Sequence, residues 1–191
     1  VPTVTLIGSV SVNYFGGVAL FKIIILFLLL IATATTAQAA KDGSGPEIGK
    51  PAPKLYGRTL QDDLYSLQTD KGQIKVINFF WVECHPCREE MPELARLEKE
   101  YKNIKFISIH TSLHKSAVEP ENVEKFLKIL KSAPSNIVLA TSKDLGDDFN
   151  IIGLPHTMIL DENNIVVMNV SGYDKKNMKK LAAALQRISK Q

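Results

Sequence analysis

An unbroken apolar run, Ile23 to Ala32, follows a lone Lys22 and gives way to small residues ending in Ala37-Gln38-Ala39. A basic flank, a short hydrophobic core and an AxA-like site form the order of a secretory leader. The run is about ten residues long, short of the roughly 20 that span a bilayer, so cleavage is the expected reading. Counting from Val18 to Ala40 lengthens the run around Lys22 and leaves a retained anchor as the alternative. Residues 1–17 carry no basic residue, and a start near Leu20 gives a conventional leader.

Lys41 to Pro53 then breaks all periodicity with Gly43, Gly45, Pro46, Gly49, Pro51 and Pro53, and reads as a linker. Leu55 to Leu67 alternates loosely and predicts a short hairpin, closed by the turn signal Asp70-Lys71-Gly72. Val76-Ile77-Asn78-Phe79-Phe80-Trp81 is nearly continuous in apolar residues, as in a strand covered on both faces. After Cys87 the period becomes helical. Met91, Leu94, Ala95 and Leu97 make one face, and Arg88, Glu89, Glu90, Glu93, Arg96, Lys99 and Glu100 read as the charged one. Pro92 inside that helix predicts a kink.

Lys105 to His110 and Ile137 to Ala140 read as strands, with a helix over Pro120 to Leu130 between them carrying Val123, Phe126, Leu127 and Leu130 on one side. Thr157 to Leu160, the turn Asp161-Glu162-Asn163-Asn164 and Ile165 to Val170 predict a hairpin. Lys175 to Ile188 closes the chain as an amphipathic helix. The order β-α-β-α-β, then β-β-α, predicts an α/β fold. Its expected form is a mixed central sheet flanked by helices on both faces, with a short N-terminal β extension. The expected organisation is a leader or anchor over 1–40, a linker over 41–53 and one domain over 54–191.

Charge adds little. The formal net charge is +3, with basic and acidic residues interleaved, so nothing points to nucleic acid. Cysteine usage adds much more. The only two cysteines stand as Cys84-His85-Pro86-Cys87, between the predicted strand and the predicted helix. A pair so close together closes almost no loop, which makes it a poor structural staple. Its place points to a redox dithiol.

A sulfur at a helix N-terminus meets unpaired N–H groups and the positive end of the dipole, and both favour the thiolate. Cys84 is therefore the expected attacking residue, and Cys87, one turn deeper, the resolving one. Pro86 suits the first helical turn. His85 favours the Cys84 thiolate, and Glu83 disfavours it. A zinc site wants four ligands, whereas the chain offers two thiols and the scattered His85, His110, His114 and His156. Cys84, Cys87, His156 and Met158 make a softer, copper-like set, kept as an alternative. His110 and His114 are expected to be exposed.

Ile48-Gly49-Lys50-Pro51-Ala52-Pro53, Val76-Ile77-Asn78-Phe79-Phe80, Cys84 to Leu94 and Gly153-Leu154-Pro155 stand in an order and spacing that resemble the thioredoxin superfamily. Within it the chain is most similar to the exported, often membrane-tethered bacterial thiol–disulfide oxidoreductases, including those of cytochrome c maturation. The resemblance implies a thioredoxin fold, with Pro155 as a cis-proline against the dithiol and Leu154 offering backbone groups to a substrate strand. It also marks three departures. Glu83 stands where Trp is usual, with Trp81 nearby as a partial replacement. Asn78 stands where cytosolic thioredoxins bury an acid, leaving Glu83 as the nearest proton carrier in sequence. His156 follows the proline where Thr is common and adds a titratable group to the groove.

The expected function is an extracytoplasmic oxidoreductase that reduces selected protein disulfides. It would be soluble after cleavage or anchored to the inner membrane of a periplasm-like compartment. Its expected electron source is a membrane thiol donor. No cofactor beyond the Cys84–Cys87 disulfide and no metal is expected. A disulfide oxidase or isomerase and a copper carrier are the alternatives.

Overall fold

The computed structural model describes residues 43–111, 119–142 and 144–190. The expected leader and His114 lie outside these. None of the described helices is long and apolar enough to cross a membrane.

Four helices and one seven-stranded sheet occupy the described residues. The elements are β1 (Tyr56–Thr59), β2 (Leu64–Ser66), β3 (Lys75–Phe80), α1 (His85–Glu100), β4 (Lys105–His110), α2 (Pro120–Ile129), β5 (Asn136–Ala140), α3 (Leu145–Asp148), β6 (His156–Leu160), β7 (Val166–Ser171) and α4 (Lys175–Ile188). The sheet runs β2-β1-β5-β4-β3-β6-β7. Strands β5, β4 and β3 are parallel, whereas the β1–β2 hairpin and the β6–β7 hairpin join antiparallel from either side. This is the mixed α/β thioredoxin fold.

The inner strand β3, between β4 and β6, is buried at all six positions, which is why its sequence is so apolar. Its pleat divides the core. Val76 and Phe80 face one layer, where Leu94 and Leu97 of α1, Val123 and Phe126 of α2, and Leu181 and Leu185 of α4 cover the sheet. Ile77 and Phe79 face the other, closed by Leu145 of α3, Phe149, Ile151 and the hairpin-flanking Leu55 and Leu67. Helices thus flank both faces, three on one and a single turn on the other.

Residues 43–53 of the stretch read as a linker are laid onto the domain. Gly49 N–H donates to the Val166 carbonyl at 2.8 Å and Ala52 N–H to the Asn164 carbonyl at 2.9 Å, while Pro51 bridges to Ile165. Glycine and proline in this stretch serve a path of bends and turns against β7 and its preceding turn rather than a free tether. At the β6–β7 turn, Asp161 Oδ1 accepts from Asn163 N–H at 2.9 Å and Ile165 N–H at 2.8 Å, the Asx geometry that four polar residues in a row suggested.

His110 departs from its expected exposure. It ends β4 beside Phe80, nearly fully buried, with its ring edge-on to Phe80 at 5.3 Å. Neither ring nitrogen has a partner among the described residues, and burial holds its pKa down at about 4. A strand covered on both faces leaves its last side chain no route to solvent.

Candidate functional site

The end of β3 delivers the chain through Trp81 to Cys84, whose N–H donates to the Trp81 carbonyl at 3.0 Å. Cys84 is the N-cap of α1, with extended backbone, and its Sγ accepts from the Cys87 N–H at 3.2 Å. That bond occupies one of the N–H groups a helix leaves unpaired at its start. Pro86 lies in the first turn, where a missing N–H costs nothing. The two sulfurs form a disulfide, with the Cα atoms 5.3 Å apart.

The pair is divided by exposure. Cys84 is half-buried, and Cys87 is fully buried among Phe80, Met91, Val123 and Phe126. His85, Pro86 and Glu83 face solvent, and Trp81 is half-buried. Arg88 reaches over the Phe126 ring, 5.9 Å from its centre.

The loop ahead of β6 closes the site. Phe79 pairs with His156, so Pro155 lies at the same end of the sheet as the residues that follow β3. The Leu154–Pro155 bond is cis. Leu154 packs half-buried on the apolar cluster that holds Cys87 and touches Cys84. Ile152, two residues earlier, is 79% exposed.

Glu90 is the functional candidate that the sequence reading placed on the wrong face. It is almost fully buried, three residues beyond Cys87 on α1 and thus on the same side of the helix. Its Oε2 accepts from Asn78 Nδ2 at 2.7 Å and its Oε1 from Thr157 Oγ at 3.0 Å, while Asn78 Nδ2 also donates to that Oγ. Burial pushes the carboxyl up, the bonds from Thr157 and Asn78 counter it in part, and the net pKa is about 7. An acid poised near neutrality beneath a dithiol is able to take and return a thiol proton. Glu83, the expected proton carrier, is exposed on the outer surface. The missed signal was positional: Glu90 is three residues past Cys87 and four before Leu94, within the apolar stripe.

His156 does not enter the groove. Its side chain points to the face opposite Cys87, fully buried, 6.3 Å from the Phe79 ring centre. Burial lowers its pKa, and the bond to Asn169 counters in part. The cause is strand parity: the position after Pro155 shares its face with Phe79, and the next, Thr157, shares the face of Asn78. The copper-like set falls for the same reason. Met158 lies fully buried on the far face with His156, so neither comes together with Cys87. No metal-binding cluster of His, Cys, Asp or Glu occurs among the described residues.

Residues 48–169 match the AhpC/TSA family. The thioredoxin-like protein YneN of Bacillus subtilis (strain 168) is 31% identical over 145 residues, which cover 73% of this chain and 81% of that protein. The thiol-disulfide oxidoreductase ResA of the same strain is 26% identical over 154 residues, covering 78% of this chain and 82% of ResA. Among solved structures, a thiol:disulfide interchange protein from Bacteroides sp. shares the fold. Its TM-score is 0.64 at 23% identity, with 76% of this chain and 91% of that one covered. The chain belongs to the AhpC/TSA family, among its thioredoxin-like thiol–disulfide oxidoreductases.

Proposed function

We propose that this oxidoreductase works outside the cytosol and reduces selected protein disulfides through Cys84 and Cys87. The observation that carries the reading is the division of the pair, one sulfur reachable at a helix N-terminus and the other sealed beneath it. In the reduced protein the Cys84 thiolate attacks a client disulfide. One client sulfur leaves and takes up a proton, and the other remains bonded to Cys84. The Cys87 thiol then loses its proton to Glu90 and attacks Cys84 Sγ. The second client sulfur departs and is protonated. Two electrons have moved to the client, and the protein holds the Cys84–Cys87 disulfide. A membrane thiol donor returns the electrons, and no metal or organic cofactor takes part.

Export is supported by the Lys22, apolar-core and Ala37-Gln38-Ala39 order of the leader. The reducing direction is supported by the resemblance to tethered reductases. A second reading as a disulfide oxidase draws on His85, exposed beside Cys84 at the helix start.

Two variants test the division of labour. Cys87→Ser in the exporting cell accumulates covalent mixed disulfides with clients, visible on non-reducing gels, and Cys84→Ser yields none. Absence of any adduct with Cys87→Ser contradicts the proposal.

A further inference from the structure

The buried polar cluster around His156 takes no part in those steps. Its Nδ1 lies 3.2 Å from Ser44 Oγ and its Nε2 3.3 Å from Asn169 Oδ1. Asn169 sets the tautomer. Its Nδ2 donates to the Pro46 carbonyl at 2.7 Å, which turns Oδ1 towards the ring. The ring therefore carries its proton on Nε2, and Nδ1 accepts from the Ser44 hydroxyl. Ser44 Oγ accepts in turn from the Ile152 N–H at 3.1 Å.

Residues 43–46 are stitched further along the same loop. Gly45 N–H donates to the Asn150 carbonyl at 2.8 Å, and Asn150 Nδ2 reaches the carbonyls of Gly43 at 3.1 Å and Gly45 at 3.3 Å. Gly45 has φ +107°, and a Cβ there would stand 2.6 Å from Asn169 and 2.7 Å from the His156 Nε2, so only glycine fits. The Ser44–His156–Asn169 order copies a hydrolase relay. However, Ser44 is 9% exposed and its oxygen already serves a backbone N–H, so no ester or peptide reaches it.

These bonds end where the client is expected to lie. Ile152 N–H is held by Ser44, and the Pro155 carbonyl is held by the Gly172 N–H at 2.8 Å. Between them run Gly153 and Leu154, beside the bare Ile152 side chain. We infer that the strap 43–46, locked by His156, fixes the 152–155 loop as a docking edge for polypeptide clients with an apolar residue beside the reacting cysteine. Ser44, Gly45 and His156 are thus positioning residues for protein disulfides. They act from the face opposite the sulfurs and leave the chemistry of Cys84 untouched. This inference rests on the proposed dithiol reading.

The test compares two oxidants against the reduced protein. One is a short disulfide-bonded peptide with leucine beside one cysteine, and the other is a small aromatic disulfide that needs Cys84 alone. Gly45→Ala and Ser44→Ala should slow the peptide reaction by about tenfold or more, the scale of a misplaced binding edge, and leave the aromatic reaction unchanged. Peptide rates equal to wild type overturn the inference. So does an equal fall in both rates with a lowered melting temperature, because the strap then serves only the fold. If wild-type protein exchanges with neither oxidant, the dithiol reading itself fails, and the inference with it.

Discussion

Two buried titratable side chains sit on the α1 side of the sheet, and they pull the stability of the protein in opposite directions with pH. The folded-state pKa of Glu90 lies near 7, above its ordinary 4.5, so its contribution is whole below 4.5 and is lost as pH rises through 7. Such a displacement corresponds to about 3 kcal/mol. Glu90→Gln keeps an acceptor for Asn78 and turns an NH2 group towards the Thr157 Oγ, reversing that bond, while removing the buried charge. In urea unfolding it should therefore be more stable than wild type at pH 8, by about 2 kcal/mol, and equal to it at pH 4. Resolution of the mixed disulfide should slow in the same variant, because Cys87 loses its proton acceptor. A variant both less stable at pH 8 and undiminished in resolution contradicts this role for Glu90. His110 behaves in reverse. Its folded pKa, about 4, lies below the ordinary 6.5, so its contribution is present above 6.5 and is lost as pH falls through 4. With both ring nitrogens unpartnered, His110→Phe should stay folded at pH 7 and move the acid-unfolding midpoint, followed by circular dichroism, to lower pH.

At the scale of elements, helix α1 both carries the sulfur pair and seals the core beneath it. Leu94 is fully buried where α1 meets β3 and α4, so Leu94→Ala should cost about 3 kcal/mol in urea unfolding, within the usual range for a buried leucine. The elements that the sequence disclosed best are those with long, clean periods: β3 with its apolar run, α1 and α4 with their stripes, and the β6–β7 hairpin with its polar turn. What stayed hidden has identifiable causes. Helix α3 is a single turn, too short to show a period. Glu90 follows Arg88 and Glu89, so a run of charge masked a position that belongs to the stripe. His110 and His156 are polar residues on strands whose two faces are both covered, and alternation alone cannot tell which of two buried faces a side chain takes. The strap was read as a linker because Ser44 and His156 are 112 residues apart, and no local pattern announces a bond of that span.

The thioredoxin-like domain is polarised along its strands. The ends of β3 and β4 and the start of β6 gather the dithiol, the Leu154–Pro155 loop and Ile152 at one edge. At the opposite ends Lys105 pairs with Asp70 at 2.9 Å. One accessible sulfur, one sealed sulfur and a buried acid suit a thiol cycle run on proteins, and the proposed export would carry that cycle outside the cytosol. Direction is then a question of potential. Equilibration of the chain against dithiothreitol and glutathione buffers, with the Cys84–Cys87 disulfide followed by thiol alkylation, measures it directly. The proposed reductase should have a reducing couple, near the roughly −270 mV of thioredoxin. A value towards the roughly −120 mV of a dedicated oxidant would contradict it and make the protein a donor of disulfides.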